Sequence, residues 1–83
     1  MQKILDDLKQ KLQKEFNKTE IIVDKITFCK KGNYHFLTVV LDKIGGIDLD
    51  TIVEATKVVN KIVDKMEITD DSYILDVISK ERG

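Results

Sequence analysis

The sequence predicts an α+β domain: a two-layer sandwich in the order α-β-β-α-β, with two helices on one face of a three-stranded mixed sheet. Three observations predict it. Apolar residues recur at helical spacing near residues 2–17 and 49–66. Between and after these segments lie three stretches of β-branched and alternating apolar residues, ending at Ser79. No linker, repeat or low-complexity segment interrupts the 83 residues, and there is no proline to kink a helix or demote a strand.

The first helix is set by Ile4, Leu8, Leu12 and Phe16, four residues apart, with Leu5 beside them. Lys3, Lys11, Lys14 and Lys18 gather on the opposite side around Asp7, and Asn17 and Thr19 punctuate the end. Residues 20–31 turn to strand chemistry with Ile21, Ile22, Val23, Ile26 and Thr27. Lys31-Gly32-Asn33 is a hairpin turn signal, and the second strand runs from about Tyr34 to Asp42. Gly45-Gly46 then reverses the chain, with Gly46 expected at positive φ, and Asp48 caps a helix over 49–66. Its inner face reads Ile52, Ala55, Thr56, Val59, Ile62, Val63 and Met66. Asp70-Asp71-Ser72 makes a loop before a last strand from Tyr73 to Ser79. Ile26 and Phe28, then Leu37, Val39 and Leu41, then Tyr73, Leu75 and Val77 supply the sheet's inner face. A helical crossover makes the third strand parallel to the second, right-handed by default.

A chain this short buries roughly 60–65% of its unfolded surface, enough for one marginal domain at residues 1–83. Hydrophobic residues make up 42% and charged residues 35%, a globular balance. The longest apolar runs fall far below the ~20 residues needed to span a bilayer, so no membrane role is expected. Met1 leads directly into a lysine-containing amphipathic segment without a secretory h-region. A lone cysteine, Cys29, suits a reducing compartment. The reading is cytoplasmic.

Net charge is −1, unevenly placed. Residues 1–42 carry eight lysines against six acids, and residues 43–83 carry six bases against nine acids. Affinity gained through phosphate neutralisation needs a strong basic excess, which is missing here. A protein or mixed contact is favoured over generic RNA binding.

No pattern in the chain reads as a catalytic site. A phosphate at the Gly45-Gly46 turn would meet Asp48 and Asp50, so the turn is structural: Gly45 and Gly46 supply the reversal and Asp48 the cap. The pairs Asp6-Asp7, Asp48/Asp50 and Asp70-Asp71 lack metal-loop spacing and any His or Cys companion, so no metal or cofactor is expected. Cys29 and His35 near the hairpin lack the third group and oxyanion donors of a nucleophilic site. Lys57, Lys61 and Lys65, four residues apart, form either a solvated outer face or a ridge for phosphates. On the outer sheet face, Val23, Phe36, Val40, Ile74 and Ile78 are expected to point away from the helices. Such an apolar patch is a candidate partner contact, against the alternative that the pleat is locally misread.

Four segments carry a family resemblance. GNYHFLTVVLD (32–42) resembles a Gly-Asn-aromatic strand ending in Asp, and GGIDLDTI (45–52) a Gly-Ile-x-Leu-Asp turn and helix start. TKVVNKIVDK (56–65) resembles the following helix, and SYILDVIS (72–79) a Tyr-x-Leu-Glu-Val-Ser strand. Together they resemble the N-terminal domain of bacterial ribosome maturation factor RimP across nearly the whole chain. The resemblance implies a KH-like fold and a non-enzymatic assembly factor. It implies a small ribosomal subunit precursor and a small-subunit ribosomal protein as partners. The alternative reading of the Lys57, Lys61 and Lys65 stripe, as a phosphate ridge, would add a weak rRNA contact.

The family pattern continues through Ser-Ser-Pro-Gly into a small β-barrel. This sequence reads Ile78-Ser79-Lys80-Glu81 and stops at Gly83, so the barrel is expected to be absent. Thr38 and Ile44 replace the usual Arg and Pro, and the Gly-x-x-Gly clamp of KH domains is missing. The competing reading is a self-associating or domain-docking interaction module, a homodimer through the outer sheet face.

Overall fold

A computed structural model describes residues 2–69 and 71–80. The elements are α1 (Gln2–Phe16), β1 (Ile22–Lys31), β2 (Tyr34–Asp42), α2 (Leu49–Met66) and β3 (Tyr73–Ser79). The sheet order is β1-β2-β3, with β1 antiparallel and β3 parallel to β2. The α+β sandwich read from the sequence is therefore the architecture. The central strand, which the pattern left open, is β2.

The core forms where the helix stripes meet the inner sheet face. Leu5, Leu8, Leu12 and Phe16 from α1 and Ala55, Val59 and Val63 from α2 close over Leu37, Val39 and Leu41 of β2. Ile26, Phe28, Tyr73, Leu75 and Val77 pack half-buried around that centre. α1 ends one residue earlier than its pattern suggested, at Phe16. The Thr19 N–H and hydroxyl both donate to the Phe16 carbonyl (2.8 and 2.7 Å), and Thr19 Oγ1 accepts from the Ile21 N–H at 3.1 Å. That turn delays β1 to Ile22 rather than residue 20.

Val23 is the placement that sequence periodicity misjudged. Instead of facing outward it is 3% exposed and belongs to the core. The register explains why: Val23 pairs with Leu41 but Lys25 pairs with Val40, so Asp24 is an extra residue, a β-bulge. One inserted residue flips the alternation, putting both Val23 and Ile26 inside despite their odd separation. α1 helps hold this irregular start. The Val23 N–H donates to Gln13 Oε1 at 2.8 Å, and Gln13 Nε2 donates to the Ile21 carbonyl at 3.3 Å.

Between β2 and α2 the Gly46 N–H donates to the Lys43 carbonyl at 2.9 Å, closing a four-residue turn. Gly45 is its third residue, where a type II turn needs positive φ, and has φ +89°; Gly46 follows at φ +92°. The Asp48 carboxylate accepts the Thr51 N–H at 2.8 Å and caps α2. At the other end Glu67 takes a left-handed conformation (φ 49°, ψ 58°), and its N–H donates to the Val63 carbonyl at 3.1 Å.

Three outcomes test these assignments by chemical denaturation. Val23→Asp buries an unpaired charge and should cost about 3 kcal/mol or more. Ile78→Asp, on the outer face, should stay within about 1 kcal/mol of the parent. Equal midpoints would return Val23 to the surface. A Cβ at Gly46 meets nothing within 4 Å, so the cost of Gly46→Val is backbone strain alone, about 1–3 kcal/mol. A parental midpoint would contradict the turn. The Thr51 hydrogen bonds hold the Asp48 carboxyl below its ordinary value of 3.8. A lowered folded pKa gives stability that is full above the ordinary carboxylate range and lost as pH falls through the folded value. Asp48→Asn should therefore flatten the pH dependence below about 4 while keeping a cap, and Asp48→Ala should also lower the midpoint at neutral pH.

Candidate functional site

Three features of the surface can bear contacts: the outer sheet face, the seam between the helices, and the hairpin end. Each follows from the pleat and the helix spacing.

On the outer face the register stacks side chains into rungs. Cys29, Phe36 and Ile74 form one, Thr27, Thr38 and Asp76 the next, and Lys25, Val40 and Ile78 a third. The expected apolar patch is therefore two patches divided by a polar rung, and Val23 takes no part in it. Phe36 is half-buried, and Ile74 and Ile78 are exposed. Val40 is 6% exposed although no helix covers it. It lines a shallow depression with Asp24, Lys25, Ile78 and Lys80, whose Nζ pairs with Asp24 Oδ1 at 3.2 Å. Lysine stems thus cover part of this face.

Lys57, Lys61 and Lys65 are all exposed on α2, in different surroundings. Lys57 sits 3.7 Å from Glu54, a solvent-screened pair of little energetic weight. Lys65 instead joins Lys11, Lys14 and Lys18 around a groove of about 400 Å3 floored by Ile62 and Met66, with Glu15 the one acid on its wall. Among the described residues none of these four lysines makes a salt bridge. Sequence reasoning placed the α1 lysines on a polar face without linking them to α2. Their i, i+3, i+7 spacing was the available signal.

A second groove of about 590 Å3 opens between the end of α1 and the start of α2, over Phe16, Ile21 and Ala55. Its rim carries Glu15, Glu20, Asp50 and Glu54 against Lys18 and Lys43, so it is acidic where the first is basic.

At the hairpin end Phe28 stacks on His35 at 5.3 Å between ring centroids and meets Tyr73 edge-on at 6.5 Å. Burial, with the Asp64 carboxylate nearby, pushes the Tyr73 phenol above its ordinary value. His35 shares the inner face with Leu37, whereas Cys29 opposes Phe36 on the outer face. The sheet separates thiol from imidazole, which rules out a Cys–His pair. Gly45, Gly46 and Asp48 stay structural, as turn and cap. Among the described residues no group of three or more His, Cys, Asp or Glu could hold a metal ion. No helix among them is long and apolar enough to cross a membrane.

The family model described as the RimP N-terminal domain matches residues 11–80. That span holds both helical grooves, the whole sheet, the glycine turn and the α2 cap. The chain belongs to the RimP N-terminal domain family, and with it to the ribosome maturation factors.

Proposed function

We propose that this domain acts in the cytoplasm in maturation of the small ribosomal subunit, docking on the precursor through a small-subunit ribosomal protein and catalysing nothing itself. The family match over residues 11–80 carries this reading. The surface chemistry supports it. Net charge is −1, too low for phosphate contacts to dominate affinity. The groove of Lys11, Lys14, Lys18 and Lys65 is the basic surface best shaped for a secondary contact to rRNA phosphates.

Co-sedimentation tests the main reading. The protein should travel with immature small subunits and not with mature ones at moderate salt. Equal occupancy of both, or of neither, overturns it. The groove is tested by salt titration of that binding with Lys14→Glu and Lys65→Glu combined. Each lost phosphate contact should lower the slope of log affinity against log salt by about 1, so a drop of about 2 is expected. An unchanged slope removes RNA from the groove.

A further inference from the structure

The two edges of the sheet are built differently. β1 is guarded: it carries the bulge at Asp24, Lys25, Lys30 and Lys31 lie along it, and Gln13 already occupies the backbone groups of Ile21 and Val23. Among the described residues β3 has no lysine, bulge or side-chain cover of its backbone, and its one charge is Asp76. Its pairing with β2 is uninterrupted from Tyr73 to Ser79. Lys80 N–H donates to the Leu41 carbonyl at 2.7 Å, so the even-numbered residues of β3 turn their backbone groups toward β2. The odd-numbered residues Leu75 and Val77 therefore aim N–H and C=O outward from the last strand of the sheet.

A flank of α2 overlooks this edge. Ile52 borders Val77 and Ile78 in a shared depression, and three turns further along the helix Asp64 lies close enough to act on the Tyr73 phenol. On the same flank Leu49 and Val53 are 77% and 47% exposed. Three carboxylates lie along the strip. Asp71 precedes the strand, Asp76 stands at its middle on the outer face, and Asp64 lies above its start. Lys80 pairs with Asp24 and Lys57 lies beside Glu54, while Lys61, three residues before Asp64, is exposed on α2.

We propose that the free edge of β3 is a strand-addition site for an extended, basic segment of a partner protein. Apolar side chains of that segment would seat between Leu75, Val77 and the Leu49–Val53 flank, while its alternate lysines or arginines would face Asp76 on the outer side. Main-chain hydrogen bonds to Leu75 and Val77 supply affinity, and the alternation supplies specificity. A basic segment is favoured over a second copy, because a β3–β3 pair about its midpoint would set Asp76 against Asp76. The inference rests on the reading that the domain works by protein contact, and it is tested without ribosomal subunits.

The probe is a nine-residue peptide alternating valine and lysine, titrated into the isotopically labelled chain and followed by NMR and amide exchange. The amides of Leu75 and Val77 should gain protection on binding, while those of Ile74, Asp76 and Ile78, already bonded to β2, change little. Asp76→Lys and Val53→Lys, both at exposed positions, should each weaken binding about tenfold with the fold retained by circular dichroism. Uniform protection changes, equal binding of a valine–glutamate peptide, or unaltered affinity in both variants overturns the proposal. So does sedimentation showing that the chain alone dimerises with the same amide pattern. Success of the subunit co-sedimentation together with failure here would sink the edge site and leave the proposed function standing.

Discussion

The parallel pairing of β2 with β3 is the constraint on which the rest of this domain depends. Parallel neighbours cannot be joined by a tight turn, so the chain must travel back the full length of the sheet. The 18 residues of α2 cover about 27 Å, close to the roughly 30 Å of the nine-residue β2. Strand and return helix are thus matched in length, and each junction needs left-handed backbone. Glycine supplies it at Gly45 and Gly46, while Glu67 adopts it at the helix exit despite its Cβ. With that crossover in place, β2 is enclosed on both sides, and its inner residues become the floor on which both helices close.

Enclosing one strand leaves two exposed, and the chain handles them unequally. The β1 side is crowded with irregularity and charge, and α1 extends a side-chain amide to its backbone. The β3 side keeps regular geometry. The helical layer is also divided, with a lysine groove at one part of its seam and an acidic rim at another.

Much of this was legible in the chain because local and global signals agree. β2, α2 and β3 lie where strand alternation, the Gly45-Gly46 turn, the Asp48 cap and the helical stripe place them. The central position of β2 was not legible, because it rests on pairing with β3, a segment far away in sequence. What period-two reading cannot detect is an inserted residue. Asp24 looks like any polar strand position, yet it reverses the side on which Val23 falls. Outward residues were otherwise assigned correctly, but their neighbours across strands, such as Thr38 beside Asp76, depend on register between segments far apart in sequence. The same holds for Lys65 and the α1 lysines, which meet only because two helices pack together. Asp70 of the acidic loop lies outside the described residues, so the Asp70-Asp71 pair has no structural counterpart here.

The register also carries a kinetic consequence. In β1 and β2 the partners closest to the hairpin, Lys31 and Tyr34, are three residues apart, and α1 reaches β1 across ten residues from Gln13 to Val23. Between β2 and β3 every partner is separated by 38 residues, as in Phe36 and Ile74. Closing so long a loop costs entropy before any contact offsets it, whereas the hairpin and its helix form from near neighbours. The chain is thereby split into an early unit, α1 with β1 and β2, and a late one in which α2 delivers β3. The last strand to arrive is held on one side only. Its departure would expose the second side of β2 without dismantling the hairpin.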